Sequence, residues 1–229
     1  NPRRGMITAD VLEYQLRPLV RVPQLVVCGA GGDDDQIFAL PLSATTPSEW
    51  RLLGERPAQA AVVTVRDQEL MLVGGSRAHN CSTLRPRDAS WCDGPQLPST
   101  LRDHCGATLP SGVTVMTGGL DCGKYLRSTF LLPPTRGDDA AEWRTVAEMS
   151  LSRIDAGGAV IAAADPSAHR LLVAGGDLDH SQDAGSADSS EVYDAVADRW
   201  ATLEALLPEP MACQAVTVAG GTAVFVATL

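Results

Sequence analysis

No stretch of the chain approaches the ~18 consecutive apolar residues that a membrane-spanning helix needs, so no membrane partner is expected. The first residues, Asn1-Pro2-Arg3-Arg4-Gly5, lack the apolar centre of a secretory signal. Basic residues are in deficit: 18 Lys and Arg stand against 28 Asp and Glu, for a formal charge of −10. That balance disfavours general nucleic-acid binding, which needs a cationic surface to displace counterions from phosphate. It favours a protein partner with a basic or neutral segment. Cysteine is sparse, with six residues at positions 28, 81, 92, 105, 122 and 213 and no CxxC pair. This is too few for a disulfide-stapled fold, and nothing in the spacing suggests zinc or redox work. The cysteines read mostly as reduced packing residues of a cytoplasmic protein. Cys81 with Cys92, and Cys105 with Cys122, are the pairs an oxidising compartment would leave to be bridged. Also missing are GxGxxG and GxxxxGK[ST], so no nucleotide cofactor is expected. His79, His104, His169 and His180 stand singly, outside any HExxH, and no GxSxG occurs. They read as solvent or turn residues, with no metal or catalytic role.

What is present is a phrase that recurs. Leu70-Met71-Leu72-Val73-Gly74-Gly75 is an apolar strand ending in a glycine pair. Its relatives run from Leu25 to Gly31-Gly32, from Val113 to Gly118-Gly119 and from Leu171 to Gly175-Gly176. The second glycines are 43, 44 and 57 residues apart. A period in the 40s points to propeller-type repeats, each a small sheet that cannot bury its faces alone. Each pair is followed by one tryptophan, Trp50, Trp91, Trp143 and Trp200, after 18, 16, 24 and 24 residues. Glycine pairs after buried strands let backbones turn sharply and approach closely. A tryptophan once per unit reads as a wedge against the neighbouring sheet.

The pattern is all-β, with strands dominating from residue 25 onward and 21 glycines and 15 prolines to serve the turns. Residues 1–24 do not share the repeat and read as a linker or the tail of a preceding domain. Thr8 is placed to cap a short helix reaching about Gln15. Units fall at about 25–56, 57–100, 101–149, 150–210 and 211–229. They hold three strands, then four, four and four, then two. Two incomplete ends suggest a portion of a larger propeller, since exposed apolar strand edges otherwise invite self-association. A compact four-blade ring with a displaced strand and a five-blade ring with incomplete ends are the alternatives.

The fourth unit carries the clearest pattern: Gly175-Gly176, then Glu191-Val192-Tyr193-Asp194, then Trp200, seven residues after the tyrosine, with Arg153 shortly before the first strand. In this it resembles the kelch repeat, and the resemblance covers about residues 25–227. Units one to three keep the glycines and the tryptophan but carry Phe38, Leu84 and Phe130 where the tyrosine would fall. The resemblance implies a kelch-type β-propeller acting as a non-catalytic protein-interaction module. Many kelch propellers follow BTB and BACK domains and recruit substrates to cullin-based ubiquitin ligases, so an adaptor role is the expected form. The alternative within the family is an enzyme of galactose-oxidase-like or sialic-acid-epimerase type. Copper chemistry of that kind needs tyrosine and histidine ligands, and the chain has only Tyr14, Tyr125 and Tyr193.

The loops after the glycine pairs are the expected recognition face. Asp33, Asp34 and Asp35 follow the first pair, Asp121 the third, and Asp177, Asp179, His180 and Asp183 the fourth. Equivalent loops project their carboxylates to one end, where a negative field attracts basic segments. Arg77 and Lys124 occupy similar loops and offset the field locally.

Overall fold

A computed structural model of the protein describes residues 24–29, 34–41, 49, 51–57, 61–64, 70–75, 81–85, 90–134, 141–161, 169–178, 188–204, 207, 213–218 and 222–227. The expected helix near Thr8, the first glycine pair at Gly31 and Gly32, and Trp50 lie outside the described residues. Among the described residues the fold is all-β, without a helix, and built from antiparallel sheets none of which closes on itself.

The first sheet holds β1 (Gln24–Gly29), β2 (Asp34–Pro41) and β3 (Arg51–Pro57) in chain order. The second is the four-strand meander of β4 (Ala61–Thr64), β5 (Leu70–Val73), β6 (Cys81–Arg85) and β7 (Ser90–Asp93). The third joins β8 (Cys105–Thr108), β9 (Thr114–Thr117), β12 (Thr129–Leu132) and β13 (Arg144–Val146). Between its second and third members the chain adds a hairpin of β10 (Leu120–Asp121) and β11 (Lys124–Tyr125) that strand periodicity does not reveal. The fourth sheet contains β14 (Gly157–Ile161), β15 (Arg170–Ala174), β16 (Ser190–Asp194) and β17 (Arg199–Thr202). A last hairpin pairs β18 (Cys213–Val218) with β19 (Thr222–Ala227).

The second, third and fourth sheets stack face on face. Alternation along β9 sends Met116 toward the second sheet, where it joins Met71, Val73, Cys81, Phe130 and Trp143 in one buried cluster. Val115 points the other way, into a cluster with Leu171, Val173, Tyr193 and Val160 of the fourth sheet. A strand buried on both faces carries no polar alternation, which is why the second strands read as continuous apolar runs. First strands also lie next to one another: β8 abuts both β4 and β14, and β14 abuts β18.

Tryptophans and one arginine tie the stack together. Trp143, next to β13, is 8% exposed and donates its indole N–H to Pro95 O of the preceding unit at 3.3 Å. Trp200 on β17 donates to Thr129 Oγ1 at 3.1 Å and to Ala147 O at 3.0 Å, both in the third unit. Removing ~200 Å² of a tryptophan from water supplies roughly 4–6 kcal/mol of transfer free energy, an upper bound. Trp91 on β7 remains 39% exposed. Tyr193, wholly buried, packs against Trp200 with ring centroids 5.1 Å apart and donates its hydroxyl to Asp198 Oδ1. Asp198 Oδ1 also accepts Ala147 N–H at 2.9 Å.

Two expectations need correction. Asp34 and Asp35 were placed in a loop, but both belong to β2, paired with Pro57 and Arg56 of β3. An extended partner strand takes up their backbone groups, which outweighs the turn preference of aspartate. His104, read as a solvent or turn residue, is 8% exposed at the start of β8. Close passage of Gly74 and Gly119 leaves the space its ring occupies. His169 is half-buried, while His79 lies outside the described residues.

Candidate functional site

The glycine pairs position one end of the stack. Gly74, Gly75, Gly118, Gly119, Gly175 and Gly176 all have positive φ. The turn they make directs a backbone N–H at the segment entering the next sheet: Gly75 N donates to Leu101 O and Gly119 N to Arg153 O, each at 2.7 Å. At Gly176, φ is +91° and a Cβ would fall 2.5 Å from Ile154 O, so only glycine fits.

Arg153 holds this end from inside. Fully buried, it donates through Nη1 to Gly175 O at 2.8 Å and Ser189 O at 3.1 Å, and through Nη2 to Ser189 Oγ at 2.6 Å. Its Nη2 also pairs with Glu191 Oε1 at 3.3 Å, and Glu191 Oε2 accepts Ser150 N–H at 2.7 Å. One side chain thus joins the connection before β14 to the glycine turn and to β16.

The connections so anchored carry aspartates at equivalent places. The Arg102–Leu120 bridge of the third unit matches the Ile154–Asp177 bridge of the fourth. Asp103 and Asp155 follow at φ +54° and +52°, in the left-handed region that aspartate tolerates better than most residues. Asp155 N–H donates to Asp103 O at 3.0 Å, so the two units present these residues side by side. Burial, then the nearby Asp155, raises the carboxyl pKa of Asp103 above its ordinary value, against the pull of Arg102 at 3.9 Å. Burial, then Asp177, raises that of Asp155. Asp177 Oδ2 accepts the Tyr125 hydroxyl at 3.0 Å and Oδ1 accepts Leu178 N–H at 3.0 Å. Asp121 accepts the Thr100 hydroxyl on the same side.

Of the residues expected to bind a partner, Asp121, Lys124 and Asp177 therefore share this end, with Lys124 exposed on β11. Asp33, Arg77, Asp179 and His180 lie outside the described residues, and nothing described joins Asp34 or Asp35 to the row. Sequence reasoning missed Asp103, Asp155 and Tyr125. A signal for the first two was present: Asp103-His104-Cys105-Gly106-Ala107 and Asp155-Ala156-Gly157-Gly158-Ala159 share an Asp-x-x-Gly-Ala pattern at the start of the first strand.

Among the described residues no group of three or more His, Cys, Asp or Glu is arranged to hold a metal ion. Cys81, Cys92, Cys105 and Cys122 are free thiols. Burial pushes Cys81 up to about 11 and Cys105 up to about 12, so both remain protonated at neutral pH. No protein-family model and no curated protein matches the chain.

Proposed function

We propose that the chain is a kelch-type β-propeller, and that it is a non-catalytic module that binds a protein segment bearing lysine or arginine at its acidic end. The ring reading is supported by the succession of four-strand meanders, by first strands lying beside one another, and by tryptophans reaching back to the preceding unit. The binding reading is carried by one observation: Asp103 and Asp155, from equivalent places in adjacent units, stand together with carboxyl pKa values raised by burial and by one another's row. Carboxylates held so close repel, and a partner's cation relieves that repulsion as it binds. Recruitment of the bound protein to a cullin-based ubiquitin ligase through a BTB region is the form of this function that the kelch resemblance suggests.

Selection from a displayed random-peptide library tests the reading. The wild-type protein should enrich sequences containing lysine or arginine, with recovery falling steeply as salt is raised. The variant carrying Asp103→Asn and Asp155→Asn should lose that enrichment. Equal enrichment by both proteins, or selection of sequences without basic residues, would overturn the proposal.

A further inference from the structure

A polar pocket of about 160 Å³ opens beside the aspartate row, lined chiefly by Lys124, Tyr125, Arg127, Ser128, Glu148 and Ser152. Tyr125 belongs to both places, since it lines the pocket and donates its hydroxyl to Asp177 at 3.0 Å. The two regions have opposite charge. Glu148 is the pocket's carboxylate, and it is already engaged by Ser128 Oγ at 3.2 Å and by Arg127 Nη2 at 3.9 Å. Lys124 is exposed opposite Asp121 in the β10–β11 register, and among the described residues no ion pair joins it to a carboxylate. An ammonium without an ion pair, at the rim of a pocket that holds a second cation, is a place for an incoming carboxylate.

We infer that the partner segment carries alternating charge, a basic residue for the Asp103–Asp155–Asp177 row and, two positions along, an acidic residue for Lys124 at the pocket. Tyr125 both lines the pocket and hydrogen-bonds Asp177, so the two places adjoin. Alternate side chains on one face of an extended peptide are ~6.6 Å apart, so residues two positions apart are the natural pair for adjoining places. The arrangement also selects register. A segment with lysines at both positions sets one of them against Lys124, and a segment with glutamates at both sets one against the aspartates. This inference rests on the proposed basic-segment binding and adds the requirement for the second charge.

The test uses three labelled peptides in a glycine-serine background, read by fluorescence anisotropy at low salt against the whole chain. One carries lysine and glutamate two positions apart, one carries lysine and glutamine, and one carries two lysines. The lysine-glutamate peptide should bind wild-type protein best, by about tenfold over the two-lysine peptide. Lys124→Glu should reverse that order, a rescue that loss of folding would not produce. Equal binding of all three peptides to wild type and variant would overturn the alternating-charge inference and leave the basic-segment reading standing. Failure of every lysine peptide to bind would overturn both.

Discussion

At Asp155 backbone and side chain both run against stability. Its φ of +52° lies where L residues are strained, and burial next to other carboxylates raises its pKa, as it does at Asp103. A carboxyl whose folded pKa exceeds its unfolded value costs stability above that folded pKa, and the cost fades as pH falls through it. Solvent screening weakens the cost at the exposed Asp155 more than at Asp103, whose side chain is 13% exposed. His104 acts in the opposite sense. Burial lowers its imidazole to about 3 from 6.5, opposed by the backbone of Val73, and neither ring nitrogen completes a hydrogen bond among the described residues. The unfolded chain takes up a proton there that the folded chain refuses. Stability from this group is therefore intact above about 6.5 and is lost progressively toward pH 3. Urea unfolding between about pH 7 and pH 5 should show a loss of up to ~1.4 kcal/mol per pH unit from this site. His104→Leu should remove that slope whatever it does to stability at neutral pH, and equal slopes would contradict the burial account.

At the scale of elements, the junction between the third and fourth sheets depends on Arg153 and Glu191, both essentially without solvent contact. Arg153→Met leaves the Glu191 carboxylate buried without its cation, for an expected loss of ~3–5 kcal/mol in urea unfolding. Adding Glu191→Gln should recover a large part of that loss, because the orphaned charge is then gone. Strict additivity of the two substitutions would show that they do not act as a pair. Arg153 stood out in the sequence by its place in the kelch-like pattern before β14, and the strands Leu70–Val73 and Ser190–Asp194 follow from apolar runs, whereas the cross-strand pairing of Tyr193 with Trp200 is seen only in the structure. The β10–β11 hairpin was not legible, because two-residue strands carry no periodicity. Nor was the burial of His104, where Gly74 closes on the ring and Gly119, from another unit, on its Cβ. The aspartate row lay in between. Asp177 stood out by following a glycine pair, whereas the Asp-x-x-Gly-Ala pattern shared by Asp103 and Asp155 acquires a meaning only from the equivalent bridges to Leu120 and Asp177.

For the molecule as a whole, face-to-face stacking makes the second, third and fourth sheets depend on one another, and the same stacking brings Asp103 and Asp155 together from two successive connections. Architecture and electrostatics are thus one feature: the turns that lock the sheets also set the spacing of the charges. A net charge of −10 attracts cations at long range, and in the proposed reading the close row supplies the local free-energy difference that makes a cationic side chain a specific ligand. The most direct measurement is an NMR titration of the Asp103 and Asp155 carboxyl carbons in the free protein and in the presence of a lysine-bearing peptide. In the free protein both should titrate above the ordinary 3.8. With peptide bound, both should move down as the incoming ammonium stabilises the charged forms. Ordinary values in the free protein, or raised values that saturating peptide leaves unchanged, would contradict a cation-binding acidic end.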